Sequence, residues 1–117
     1  MKNTLIFICI LLMSSACLKT SEPEKPAILY LTGTLTDKYT AAPIDSAVIT
    51  IVYYPGSSLY SYPETTFYSG VNGNFNFHFA PRENTFYNIE FGKQGYSAQF
   101  RSIKREVEYQ NFIIVLD

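Results

Sequence analysis

From Ile28 to the C-terminus, apolar residues fall on every second position, and clusters of Gly, Pro, Asn and Asp interrupt the pattern. Period two is the mark of strands with one buried face. ILYLTGTLTD (Ile28–Asp37) places Leu29, Leu31, Gly33 and Leu35 on one side, and SAVITIVYY (Ser46–Tyr54) does the same with Ala47, Ile49, Ile51 and Tyr53. TTFYS (Thr65–Ser69) is a short run. NFNFHFA (Asn74–Ala80) sets Phe75, Phe77 and Phe79 against Asn74, Asn76 and His78. FYNIEFG (Phe86–Gly92) alternates Tyr87, Ile89 and Phe91 with Asn88 and Glu90. GYSAQFRSI (Gly95–Ile103) alternates Tyr96, Ala98 and Phe100 with Ser97, Gln99 and Arg101. YQNFIIVLD (Tyr109–Asp117) is apolar on both faces.

These runs predict an all-β domain over 28–117, with about seven antiparallel strands in a two-sheet sandwich. Two sheets are needed because a single sheet would leave an apolar face in water. Asn72-Gly73 is the preferred pair for a two-residue type I′ turn. It predicts a hairpin that returns the chain from Thr65–Ser69 into Asn74–Ala80, rather than a ligand loop of asparagines.

The first residues follow a different pattern. Lys2 precedes the apolar run LIFICILLM (Leu5–Met13), which SSAC (Ser14–Cys17) ends. A membrane-spanning helix needs about 20 apolar residues, so this run reads as a cleaved secretory signal helix. SSAC resembles a bacterial lipoprotein signal, with Ser14 where that family usually has Leu. The resemblance implies cleavage after residue 16 and acylation of Cys17. An ordinary secretory signal with an incidental cysteine is the alternative. Two or more acyl chains, at about 0.8 kcal/mol per buried methylene, make release from a bilayer negligible. LKTSEPEKP (Leu18–Pro26) reads as a polar tether, so residues 17–27 form the lipidated cysteine and its leash. Leu18 is not the Asp that favours inner-membrane retention in lipoproteins, which points to the outer membrane.

Charge narrows the partners. Without Lys2, eight basic side chains face ten acidic ones, a formal −2. A nucleic-acid binder would show a basic excess, so no nucleic acid is expected.

GTLTDKYTAAPIDSAVITI (Gly33–Ile51), NGNFNF (Asn72–Phe77) and NIEFGKQGYSAQF (Asn88–Phe100) together resemble carboxypeptidase regulatory-like domains. Gly33, Asp37, Pro43, Ala47, Val48 and the Gly95-Tyr96 pair fill that family's recurrent places. The resemblance implies a transthyretin-like, immunoglobulin-like sandwich that binds or supports rather than catalyses. Such domains usually accompany a peptidase, a transporter or a larger surface protein.

Candidate chemistry is sparse. His78 is the one histidine, and it sits mid-strand on the polar side. No zinc ligand set or phosphate loop is present, and no metal, cofactor or catalytic residue is expected. Asp37, Asp45 and Glu64 are read as loop carboxylates, with Asp37 holding its own turn. The richest feature is YYPGSSLYSYPETTFY (Tyr53–Tyr68), read as an aromatic loop. Its Tyr54, Tyr60, Tyr62 and Tyr68 are the candidate contacts with an envelope protein or a glycan, since tyrosine joins a flat apolar face to a hydrogen-bonding tip. The same rings would also serve to cover sheet edges.

Overall fold

In the computed structural model, residues 25–117 other than Ser57 are described. The expected signal segment, Cys17 and the part of the expected tether before Lys25 lie outside the described residues. Seven strands follow one another: β1 (Leu29–Asp37), β2 (Val48–Pro55), β3 (Tyr62–Tyr68), β4 (Asn74–Phe79), β5 (Thr85–Gly92), β6 (Gln99–Ile103) and β7 (Tyr109–Leu116). They form a two-sheet all-β sandwich, as the alternation predicts. One sheet has the order β4-β1-β7 and the other β3-β2-β5-β6.

Every connection reverses the chain, so odd strands run one way and even strands the other. Their parity explains the one departure from an all-antiparallel scheme. The first and seventh strands lie side by side and therefore pair in parallel, Tyr30 opposite Tyr109 through Asp37 opposite Leu116. All other ladders are antiparallel.

The core is the meeting of two alternating faces. Leu29, Leu31 and Leu35 of β1 are fully buried, as are Ala47, Ile49 and Ile51 on and beside β2, Ile89 of β5, and Leu116 of β7. The three phenylalanines of β4 cross the gap between sheets. Phe75 meets Phe91 at 5.7 Å, Phe77 stacks on Phe67 at 4.7 Å, and Phe79 meets Tyr87 edge-on at 5.0 Å. Such pairs are worth about 0.5–1.5 kcal/mol each beyond the area they bury. Gly33 lies beneath this row. A Cβ there would stand 2.5 Å from both the Phe75 ring and the Phe112 carbonyl, so the close approach of β4 and β7 to β1 requires glycine.

The Asn72-Gly73 expectation is corrected. β3 and β4 belong to different sheets, so the segment between them is a crossover and not a hairpin. The tight turn is shifted by one residue and has Val71 and Asn72 at its centre: the Gly73 amide donates to the Gly70 carbonyl at 2.9 Å, and the Gly70 amide to the Asn74 carbonyl at 2.8 Å. Gly73 has φ of 71°, whereas Asn72 is not left-handed. The Gly73 carbonyl accepts from the Leu35 amide at 2.7 Å, which docks the turn on β1. Buried Ser69 fixes the same corner. Its hydroxyl donates to the Ile44 carbonyl at 2.8 Å and accepts from the Ala47 amide at 2.9 Å.

Two further expectations change. The strand predicted over Gly95–Ile103 is only Gln99–Ile103, and Ala98 and Phe100 face outward. Phe100 sits opposite Glu90, on the solvent side of β5. Ile103 is the buried residue of β6. The aromatic stretch Tyr53–Tyr68 is mostly strand, since β2 runs to Pro55 and β3 begins at Tyr62, leaving a short tip from Gly56 to Ser61.

Candidate functional site

The chain comes into the sandwich at the end that also carries the β2–β3 tip, the β4–β5 loop and the β6–β7 loop. Arg105 closes this end by donating from Nη1 to the Pro26 carbonyl at 2.6 Å. The opposite end carries the β1–β2, β3–β4 and β5–β6 connections and the C-terminus.

The four candidate tyrosines do not make one site. Tyr62 pairs with Tyr53, their rings 5.6 Å apart, on the side of the sheet that faces the core. Tyr53 continues to Tyr87 at 6.3 Å, and the Arg82 guanidinium lies over its ring at 4.3 Å. Arg82 also reaches Glu64 at 3.0 Å, and its amide donates to the Tyr87 hydroxyl at 2.9 Å. This group caps the core. Burial raises the Tyr87 phenol above its ordinary pKa, against the lowering effect of that amide. Glu64, expected on a loop, is a β3 residue at the register shift opposite Ile51 and Val52. Tyr60 is exposed on the tip. Tyr54 and Tyr68 share the outer face of the four-stranded sheet. They lie at opposite ends of β2, since Tyr54 is opposite Phe86 and Tyr68 opposite Val48.

That outer face holds what the sequence reading missed. One row across it is Thr66, Thr50, Glu90 and Phe100, opposite one another on β3, β2, β5 and β6. The Thr50 and Thr66 hydroxyls are 3.4 Å apart. The next row is Tyr68, Val48 and Gly92. Between the rows is a shallow hollow of about 200 Å³ bounded by Val48, Thr50, Glu90, Gly92 and Ala98. Tyr68 and Phe100 flank it, 64% and 68% exposed. Their strands are three inter-strand steps apart, roughly 14 Å. The signal that could have located it is the pairing of Glu90 with Phe100, which period two alone does not give.

The other sheet also carries an outward aromatic row, with Tyr30 between His78 at 5.7 Å and Tyr109 at 5.0 Å. His78 is exposed, on the polar side of β4 as expected. Among the described residues, no group of three His, Cys, Asp or Glu side chains stands close enough to hold a metal ion.

Asp37 does hold its turn. Its carboxylate accepts from the Tyr39 and Thr40 amides at 2.8 and 2.9 Å, and from the Tyr96 hydroxyl at 2.6 Å. The Tyr96 bond, with the Thr40 and Tyr39 amides, lowers the Asp37 pKa, and the same bond raises that of Tyr96. Gly95, at φ of 91°, makes the bend that brings Tyr96 onto the core edge. Asp45 is an exposed loop residue.

No protein-family model matches the chain. No curated protein sequence matches it. Solved structures share its fold. A 9R-lipoxygenase from Cyanothece PCC8801 superposes with a TM-score of 0.54 at 14% identity, over 90% of this chain and 20% of the lipoxygenase. The C-terminal domain of the shaft pilin SpaA from Lactobacillus rhamnosus GG gives 0.51 at 14% identity, over 79% of this chain and 100% of that domain. A 3-chlorocatechol 1,2-dioxygenase from Rhodococcus opacus 1CP gives 0.52 at 12% identity, over 81% of this chain and 61% of the enzyme. The chain thus spans about a fifth of the lipoxygenase and three-fifths of the dioxygenase. At these identities the likeness is one of fold, an immunoglobulin-like β-sandwich.

Proposed function

We propose that this chain is a lipid-anchored protein of the bacterial cell envelope, held at the outer membrane through acylated Cys17. Its sandwich works as a non-enzymatic binding or accessory module of a surface or periplasmic assembly. The observation that carries this reading is the separation of a closed aromatic core from a second set of aromatics displayed on rigid strands. Tyr68, Phe86 and Phe100 all stand exposed on the outer face of one sheet. Rings fixed on strands lose little entropy when they bind, and exposed aromatics displayed along one face mark it as a contact surface.

The finer assignment, to the carboxypeptidase regulatory-like domains, is supported by the roles of the motif residues. Gly33 admits the Phe75 ring. Asp37 and Tyr96, from opposite ends of the resemblance, hold each other at 2.6 Å. Tethering is the mechanism: the lipid confines the module to a surface, where effective concentration raises avidity for a partner held there too.

Fractionation of cells expressing Cys17→Ser tests the anchor. The variant is expected to move from the membrane to the soluble fraction, and unchanged fractionation refutes lipidation. Crosslinked pull-down of the anchored protein is expected to recover defined envelope partners.

A second reading, glycan capture, is favoured by the hollow at Gly92. It lies at the end of the sandwich opposite Lys25, where a tethered domain presents it away from the bilayer.

A further inference from the structure

We infer that the outer face of the β3-β2-β5-β6 sheet binds a neutral oligosaccharide, seated across the hollow at Gly92 between Tyr68 and Phe100. This rests on the glycan reading and moves its site from the tyrosine tip to the sheet.

The first argument is Gly92 itself. Gly33 and Gly73 are demanded by the fold, the one by the Phe75 ring and the Phe112 carbonyl, the other by its left-handed backbone and the Leu35 carbonyl. Gly92 meets neither condition. A Cβ there would find no atom within 4 Å. The missing side chain deepens the hollow, and a glycine without a packing reason marks a place where something else approaches closely.

The second argument is the chemistry of the rows. Exposed aromatic faces stand at both sides, suited to the C–H faces of pyranose rings. Between them Thr50 and Thr66 offer hydroxyls, and Glu90 offers a carboxylate that accepts from sugar hydroxyls. Among the described residues, the outward positions of these four strands carry this one carboxylate and no Lys or Arg. An anionic glycan would meet Glu90 with no cation to offset it, so the ligand is neutral.

The third argument is size. The flanking rings are roughly 14 Å apart across the sheet, and the two rows lie roughly 7 Å apart along it. A short run of sugars spans this platform, whereas a stable protein partner, at about 800 Å² on each side, would have to reach well beyond it.

The test uses the soluble form that begins at Leu18, which contains both sheets and the whole core. It is applied to a printed panel of glucan, xylan, mannan and N-acetylglucosamine oligosaccharides, with sulfated and uronic-acid glycans as the charged arm. Binding is expected to neutral members only. Gly92→Val, which fills the hollow, and Tyr68→Ala and Phe100→Ala, which remove exposed rings, are each expected to weaken it at least tenfold. Tyr60→Ala is expected to change it less than twofold. The thermal midpoint of each variant shows that it is folded. Neutral-glycan binding that survives the three sheet variants but falls with Tyr60→Ala or Tyr62→Ala would overturn this site and leave the glycan reading standing. Silence across the neutral panel, or preference for the sulfated arm, would overturn the inference, and complete silence would remove the glycan reading as well.

Discussion

Gly92→Val is expected to make the domain more stable, even though the same class of change should cripple it at two other glycines. In a strand, glycine forfeits backbone entropy worth about 0.5–1 kcal/mol relative to a residue with a side chain. Valine also fits a pleated strand far better than glycine. A Cβ at residue 92 meets nothing within 4 Å, so no repacking cost subtracts from the gain. The expected change is therefore a stabilisation of about 0.5–1 kcal/mol. At residue 33 a Cβ would lie 2.5 Å from the Phe112 carbonyl and from the Phe75 ring. Forcing an atom into a packed site costs about 1–3 kcal/mol, so Gly33→Ala should lower stability by that amount. Gly73→Ala adds a left-handed penalty of about 1–2 kcal/mol to a similar overlap with the Leu35 carbonyl. Urea unfolding of the three variants measures this, followed by circular dichroism or by tyrosine emission, since the chain has no tryptophan. With a urea slope of about 1–3 kcal/mol/M, Gly92→Val should raise the midpoint by a few tenths of a molar. A lowered midpoint would refute the reasoning, because it would mean that the fold needs this glycine and that the hollow is a consequence of packing.

Ser69→Ala strips partners from the Ala47 amide and the Ile44 carbonyl in a buried corner. At about 1–3 kcal/mol for each of the two groups left unpaired, a loss of about 2–6 kcal/mol is expected in the same unfolding assay, and a loss under about 0.5 kcal/mol would contradict it. Arg82→Ala should cost only about 1 kcal/mol, because its pair with Glu64 is half-exposed and surface pairs are worth little; if the pair matters, the cost shrinks in high salt. The folded Asp37 pKa lies below its unfolded value, so its contribution is full above about pH 4 and disappears as pH falls through the folded value. Tyr96→Phe should therefore flatten the acid limb of stability against pH, and an unchanged limb would show that the pair is not coupled to folding. Tyr87 and Tyr96 are raised, so both favour the fold below their unfolded pKa near 10, and that support is lost as alkaline pH passes their folded values. Stability that is flat up to pH 11 would contradict this.

The buried faces were legible because they are written in period two. Leu29, Leu31 and Leu35 fall inward as read, and so do Ile49, Ile51, Ile89 and Phe91. Burial of one face sets register so strongly that no other reading of these strands leaves the rings dry. The Asn72-Gly73 expectation failed because turn preference is local while sheet membership is not. A tight turn forms beside it, but β3 already pairs with β2 and β4 with β1, so the turn hands the chain from one sheet to the other. The left-handed conformation falls on Gly73 alone, and not on both residues as a two-residue type I′ turn would need. The parallel β1–β7 ladder was within reach, since strand parity fixes direction once the first and last strands are neighbours, but that neighbourhood is a tertiary fact.

The candidate site was hidden for a related reason. Around Phe100 apolar residues alternate with polar ones, and period two by itself would turn the apolar set inward. On β6 the rule inverts. Pairing with β5 sets Phe100 opposite Glu90 and Arg101 opposite core residue Ile89, and only Ile103 returns to the interior. β6 is an edge strand at the rim of the sandwich, where the opposing sheet covers it least, so an inward-facing Arg101 can reach solvent. Rim position thus relaxes the demand for apolar inward residues and leaves the outward side free to carry a ring. The same logic applies to Tyr68 on β3, the other edge, with inward Phe67 packed against the core and the tyrosine turned out. Both flanking rings of the hollow therefore stand on edge strands, where the core constrains side chains least and a surface aromatic costs the fold least.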